Sequence, residues 1–302
     1  MFTDIIVGVD GRQGGRDALA LAARLASLSD GELVAVHAYP YDLFTSRGTT
    51  PEFETIMHTS AEDLLTDELE RTHVAAHAVA MRDGSPGRAL HLAAKRHHAS
   101  LIVVGSAHRG TIGRVLAGDV TTGTLHGAEC PVIVAPRGFA ERRSALQTIG
   151  VGFDGTPESR AATELARDLA TAAGARLNVI RVLEPPPAGG PALRYDADWA
   201  QRAEERREEV RAELDALLTE LGDIATGEVV VGDPSTELAY AGNELDLLVT
   251  GSRGYGPVRR LMLGSTSTRL VREAPCPVLV LTRGAEAETE HTAADSATAD
   301  AT

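Results

Sequence analysis

Residues 148–157 read TIGVGFDGTP, and this segment sets the fold expected for the chain. An apolar run that ends in Asp154-Gly155 is typical of a short buried strand that stops at a tight turn. The next two residues, Thr156 and Pro157, are a common N-cap and a common first helical residue. The segment therefore predicts a strand, a turn and a helix in immediate succession.

The same alternation continues through the rest of this region. Apolar runs predict strands at residues 148–154, 177–183, 228–231, 245–250 and 278–281. The intervening sequence predicts helices, including a charged one at 199–221, one that opens at Asp233-Pro234, and one at about 265–273. This order predicts an α/β fold with right-handed crossovers and a parallel sheet. The strands are near-continuous runs of Val, Ile and Leu, which indicates a sheet covered on both faces.

The chain also repeats itself. The segment IVGVDG at residues 6–11 returns as GVGFDG at 150–155, and CPVIV at 130–134 returns as CPVLV at 276–280. A repeat near 145 residues is too long for a solenoid unit, so it indicates a duplicated domain. We expect a first half at residues 1–137, a linker at 138–147, a second half at 147–283, and a disordered acidic tail at 284–302.

The composition of the chain excludes several classes of function. The 302 residues carry a net charge of −14, which repels nucleic acids and anionic membranes, so neither is an expected partner. Two cysteines and the absence of any long apolar run suggest a cytoplasmic protein. The single lysine, Lys95, is not part of a Gly-Lys-Ser/Thr motif, which excludes a P-loop nucleotide hydrolase.

A glycine-rich loop follows the predicted strand at 245–250. It reads Gly251-Ser252-Arg253-Gly254, then nine residues, then Gly264-Ser265. Ligands of open parallel sheets lie beyond the carboxyl ends of the strands, where Asp154 and Gly251 are expected to flank a crevice. Glycines allow close backbone approach, and a helix that begins after Gly264 offers N–H groups suited to phosphate.

This loop resembles the nucleotide-binding signature of the universal stress protein (UspA) family, and the resemblance covers nearly the whole chain. It implies two Rossmann-like, adenine nucleotide alpha hydrolase-like sheets with strand order 3-2-1-4-5, duplicated in tandem. It also implies ATP, with Mg²⁺ as an accompanying ion, in the crevice between the first and fourth strands. Asp154 would lie on the ribose or adenine side, and Val182 would contact adenine. The remaining implied nucleotide-site residues are Gly155, Thr156, Thr250, Gly251, Arg253, Gly254, Gly264, Ser265, Thr266 and Ser267.

The first half departs from this signature. Asp10 and Gly105 match the second half, but His108 stands where the second glycine belongs. Gly118 is then followed by Asp119 where serine is expected, and a carboxylate at a helix N-terminus repels phosphate. We therefore expect a degenerate first site and one nucleotide per chain, bound in the second half.

Other interpretations remain open at this level. Glycines also make ordinary turns, and Asp154 could simply cap the helix that follows it. A weak ATPase or nucleotide transferase and a nucleotide-independent scaffold are the alternatives to a non-catalytic ATP-binding stress-response protein, and no catalytic constellation is recognisable. The resemblance also implies pairing through the fifth strands, residues 132–135 with 278–281, as an intramolecular pseudo-dimer. A further homodimer of chains is not decided by the sequence.

Overall fold

The computed structural model describes residues 2–29, 31–40, 51–106, 118–142, 145–185, 197–252 and 264–281. The predicted tail at 284–302 lies outside this set. In the first half, the strands are β1 Asp4–Gly8, β2 Glu32–Tyr39, β3 His77–Arg82, β4 Leu101–Gly105 and β5 Val132–Ala135. Its helices are α1 Gln13–Ala26, α2 Pro51–Thr72, α3 Pro86–Arg96 and α4 Asp119–Leu125.

The second half repeats this order. Its strands are β6 Thr148–Phe153, β7 Arg176–Leu183, β8 Ala225–Val231, β9 Leu247–Gly251 and β10 Val278–Leu281. Its helices are α5 Pro157–Ala173, α6 Ala197–Leu221, α7 Pro234–Ala241 and α8 Ser265–Glu273. Within the described residues, no helix combines the length and the apolar character needed to cross a bilayer.

All ten strands lie in one sheet, in the order β3-β2-β1-β4-β5-β10-β9-β6-β7-β8. Each half therefore has the expected order 3-2-1-4-5 with parallel neighbours. The two five-stranded sheets are joined edge to edge, because β5 and β10 pair antiparallel, with Ile133 opposite Leu279. This is the pairing that the resemblance implied. It covers the edges of both fifth strands and joins the halves into one continuous sheet.

Local sequence explains where the helices begin. Thr156 is the N-cap of α5, and its side chain accepts a hydrogen bond from the Ser159 N–H. Asp233 caps α7 in the same way through the Thr236 N–H. Helix α5 ends at Gly174, which has a φ of +62° that favours glycine. The predicted starts at Pro157 and Pro234 are thus confirmed.

Strand boundaries differ by a few residues from those predicted. Strand β8 begins at Ala225 rather than at residue 228, because Ala225 already pairs with Leu177 of β7. Strand β9 begins at Leu247 rather than at residue 245. The first residue of each strand is set by pairing with a neighbouring strand, and this pairing cannot be predicted from the local apolar sequence.

The segment expected to be a linker is packed against the first half. Residues Phe139–Glu141 form a 3₁₀ turn. The buried Asp17 carboxylate of α1 accepts hydrogen bonds of 2.8 Å from the N–H groups of Gly138 and Ala140. The Arg24 guanidinium donates to the Arg142 carbonyl oxygen. The connection is therefore an ordered part of the fold over residues 138–142.

Candidate functional site

The turn after β6 is built around Asp154. Its Oδ1 accepts hydrogen bonds from the backbone N–H and the hydroxyl of Thr156. Gly155 between them has a φ of +82°, a conformation that L side chains rarely adopt. The alternative in which Asp154 caps α5 is wrong, since the cap is Thr156. Asp154 instead holds the turn that places this cap.

Gly251 lies at the end of β9, against the first turn of α5. A Cβ at this position would lie 2.9 Å from the Glu158 carbonyl oxygen, a distance that real Cβ atoms do not show. The absence of a side chain at Gly251 is therefore required by the packing of α5 against β9. Arg253 and Gly254, the next residues of the predicted signature, lie outside the described residues.

The N-terminus of α8 faces the same region. Gly264 is the N-cap, and the first helical hydrogen bond runs from the Thr268 N–H to the Gly264 carbonyl oxygen. The N–H groups of residues 265–267, the three residues before Thr268, therefore have no acceptor within the helix. The Ser267 hydroxyl donates to the Gly251 carbonyl oxygen at 2.9 Å and so links α8 to β9.

These elements line one cleft with a cavity volume of about 90 Å³. It collects eight of the predicted nucleotide-site residues: Asp154, Thr156, Val182, Thr250, Gly251, Gly264, Thr266 and Ser267. Gly155 and Ser265 adjoin the cleft in sequence but are not among its lining residues. The sequence prediction thus brought together side chains from four separate elements of the second half.

The prediction missed two acidic residues of the cleft, Glu158 and Glu184. Glu158 lies in the first turn of α5, and Glu184 directly follows β7. Glu184 lies at the carboxyl end of a strand, and Glu158 lies at the start of the helix beside such an end. The rule that ligands bind beyond the carboxyl ends of parallel strands, already applied to Asp154, would have identified both residues. With Asp154 they place three carboxylates around the cleft, yet no group of three potential metal ligands converges among the described residues.

The first half encloses the larger cavity, about 360 Å³. Asp10, Gly105 and Gly118 line it, as expected for a site equivalent to the one in the second half. His108 lies outside the described residues, as does the side chain of Asp119. A degenerate phosphate signature in the sequence therefore coincides with the roomier of these two clefts.

Comparison with known proteins identifies relatives over most of the chain. The model of the Universal stress protein family matches twice, at residues 1–136 and 145–282. A universal stress protein of Mycolicibacterium smegmatis is 29% identical over 291 residues, covering 92% of this chain and 96% of the relative. One from Thermus aquaticus is 39% identical over 140 residues, covering 45% of this chain and 98% of the relative.

A solved structure shows the same fold. The crystal structure of a universal stress protein from Archaeoglobus fulgidus superimposes with a TM-score of 0.65 at 21% identity. It covers 93% of this chain and 98% of that protein. The tandem arrangement of two α/β units is thus shared over nearly the full length of both chains.

Proposed function

Since the chain belongs to the universal stress protein family, we propose that it binds ATP in the second-half cleft. In this proposal the protein is a non-catalytic module of a cytoplasmic stress response, and nucleotide occupancy regulates its interactions. The supporting observation is that the carboxyl ends of β6, β7 and β9 meet the N-terminus of α8 around one cavity.

The two ends of the cleft suit the two ends of a nucleotide. Ile180 and Val182 of β7 offer an apolar wall for a purine ring. Gly264 and Thr266 at the start of α8 offer backbone N–H groups and a positive dipole end to phosphate. Arg253 and Gly254 of the signature follow β9 by two and three residues, which the proposal assigns to the phosphate side.

The carboxylates set a condition on this binding. Asp154, Glu158 and Glu184 repel a triphosphate, and a divalent cation between phosphate and carboxylate oxygens would offset that repulsion. Magnesium is usually held by one or two carboxylates together with substrate phosphates. Since the described residues form no metal site by themselves, we expect Mg²⁺ to bind with the nucleotide rather than before it.

The cleft must also widen. Its volume of about 90 Å³ is below the roughly 150 Å³ of an engineered cavity that holds one benzene molecule. A purine is larger than benzene, so the side chains of Glu158 and Glu184 are expected to move when adenine enters. Binding then requires a local rearrangement but no change in the sheet.

A single charge at the start of α8 tests the proposal. Ser265→Asp gives the second half the residue that follows the N-cap glycine in the first half, Asp119. The added carboxylate should weaken ATP binding at least about tenfold, because it opposes phosphate at the helix N-terminus. Ser265→Asn is the matched control, since it has nearly the same shape without the charge.

Isothermal titration with Mg-ATP measures both variants against the wild type. The proposal predicts loss of affinity in Ser265→Asp and little change in Ser265→Asn. If all three proteins are folded by circular dichroism and have equal affinity, the phosphate does not bind at the N-terminus of α8.

A further inference from the structure

The larger cavity of the first half differs systematically from its counterpart. Strand registers align the halves, because Gly8 pairs with Val36 as Gly152 pairs with Ile180. At five lining positions the first half has the smaller residue. The pairs, first half against second, are Val9 and Phe153, Gly14 and Glu158, Gly15 and Ser159, Val36 and Ile180, and Ala38 and Val182.

The first-half lining is also less polar. Val104 of β4 stands where β9 has Thr250, and Val120 of α4 stands where α8 has Thr266. Among the lining residues that the structure describes, Asp10 is the one carboxylate and no lysine or arginine is present. Within this described part of the wall, a phosphate group would meet a carboxylate and no cationic side chain, whereas an apolar ligand would meet Val, Ala, Leu and Pro side chains.

Most polar groups of this cavity are already engaged. His37 Nδ1 lies 2.7 Å from the Val9 carbonyl oxygen, so this nitrogen carries the proton and donates. Asp10 accepts from the Arg12 N–H, and the Thr121 hydroxyl donates to the Gly105 carbonyl oxygen. These bonds hold the walls of the cavity together.

Ser106 is the exception. It follows β4, lines the cavity and is 4% exposed. Its hydroxyl is the one buried side-chain polar atom that has no hydrogen-bond partner in the described part of the chain. An unpaired buried hydroxyl is unfavourable. Because Ser106 lines the cavity while its hydroxyl is turned away from it, rotation about the Cα–Cβ bond would be needed for a ligand with a hydrogen-bonding group to pair with it.

We propose that the first-half cavity binds an uncharged, largely apolar small molecule whose one hydrogen-bonding group pairs with Ser106. Scaling from one benzene in about 150 Å³, a cavity of this volume holds roughly fourteen non-hydrogen atoms. The two halves of the duplicated chain would then carry ligands of different chemical class. This inference does not depend on ATP binding in the second half.

The probe for the test is N-phenyl-1-naphthylamine, which is neutral, mostly apolar and fluorescent in apolar surroundings. It has a single N–H group and is slightly larger than the cavity volume, so the edge of one ring would extend into the open mouth of the cavity. Titrated into the full-length protein, it should show saturable fluorescence with one site per chain. A saturating concentration of Mg-ATP should not displace it, since the two ligands occupy different halves.

The size of the cavity is tested by Ala38→Val, which introduces the second-half residue. The added carbons should weaken probe binding about tenfold, on the scale of overpacking a filled site. Val182→Ala, at the equivalent position of the second half, is the matched control. It should leave the affinity of the first-half cavity for N-phenyl-1-naphthylamine unchanged. An unchanged affinity in Ala38→Val would place the probe elsewhere and overturn the proposal.

The hydrogen bond is tested by Ser106→Ala. This variant should bind N-phenyl-1-naphthylamine about threefold to tenfold more weakly, the range for one hydrogen bond. It should bind 1-phenylnaphthalene, which has no N–H group, as well as the wild type does. Its melting temperature should not fall, because an unpaired buried hydroxyl has been removed.

Besides an unchanged affinity in Ala38→Val, three results would overturn the inference. They are the absence of saturable probe binding, displacement of the probe by Mg-ATP, and equal loss of both probes in Ser106→Ala. Loss of ATP binding with probe binding retained would instead contradict only the function proposed for the second half.

Discussion

Asp233 illustrates how one side chain fixes the start of a helix in this protein. Its carboxylate accepts hydrogen bonds from the Ser235 hydroxyl and from the N–H and hydroxyl of Thr236, and it lies 3.3 Å from the Arg269 guanidinium. These contacts lower the pKa of Asp233 to about 2, with the Ser235 hydrogen bond as the largest cause. The cap also links α7 to α8, which borders the second-half cleft.

The first prediction concerns this cap. Asp233→Ala should lower the free energy of unfolding by about 1 kcal/mol at neutral pH, the usual cost of losing an N-cap. Because the pKa is depressed in the folded state, the ionised cap stabilises the protein above pH 4. That contribution should be lost as pH falls from about 4 to about 2.

Urea unfolding at several pH values measures this effect. Asp233→Asn is the control, since asparagine also caps helices but does not titrate. The stability difference between wild type and Asp233→Asn should shrink as the pH falls through this window. A difference that is constant from pH 6 to pH 2 would show that the carboxylate charge contributes nothing.

At the scale of elements, the residues that start helices were predictable from sequence. Thr156-Pro157 and Asp233-Pro234 act locally, and each pair lies at the helix start that the sequence predicted. The order of strands and the pairing of β5 with β10 were implied by the resemblance to the universal stress protein family, and the structure has both. Local helix signals, the internal repeat and the family resemblance together predicted most of the fold.

The shape of the two clefts was not predicted. The glycine signature predicted the binding site in the second half, whereas the larger of the two cavities lies in the first half. The volume of this cavity depends on equivalent positions of the two halves that carry residues of different size, such as Gly14 and Glu158. These positions can be compared only after the two halves are aligned on one fold. Likewise, Gly251 contacts the Glu158 backbone, a tertiary packing that no local pattern reports.

The second prediction concerns the connection between the halves. Asp17→Asn replaces one acceptor oxygen with an amide that faces a backbone N–H of Gly138 or Ala140. The unfolding free energy should fall by about 1–3 kcal/mol, the cost of an unsatisfied buried polar group. Asp63→Asn, on the exposed face of α2, is the control and should change it by less than about 0.5 kcal/mol. Equal stability of the two variants would show that Asp17 does not hold the connection.

At the scale of the whole molecule, the sheet is continuous because β5 and β10 cover each other. Val132, Ile133 and Val134 are fully buried, as are their partners Val280, Leu279 and Val278. The Arg142 side chain adds a hydrogen bond to the Pro275 carbonyl oxygen of the second half. Separation of the halves would expose two apolar strand edges.

The third prediction follows from that edge. Residues 1–142 and residues 145–284, expressed separately, should each form a dimer or a larger species by light scattering, because an uncovered edge strand pairs with another copy. Mixed or co-expressed halves should instead form a one-to-one complex. Two stable monomers would contradict the view that the β5–β10 pair joins the molecule.

We propose that the second half, and not the first, holds ATP. The most direct test of this proposal is a crystal structure of the full chain grown with Mg-ATP. We predict density for one nucleotide per chain, with its phosphates at the N-terminus of α8 and its adenine beside Val182. Nucleotide in the first-half cavity, or no nucleotide in the second-half cleft at saturating concentration, would contradict the account.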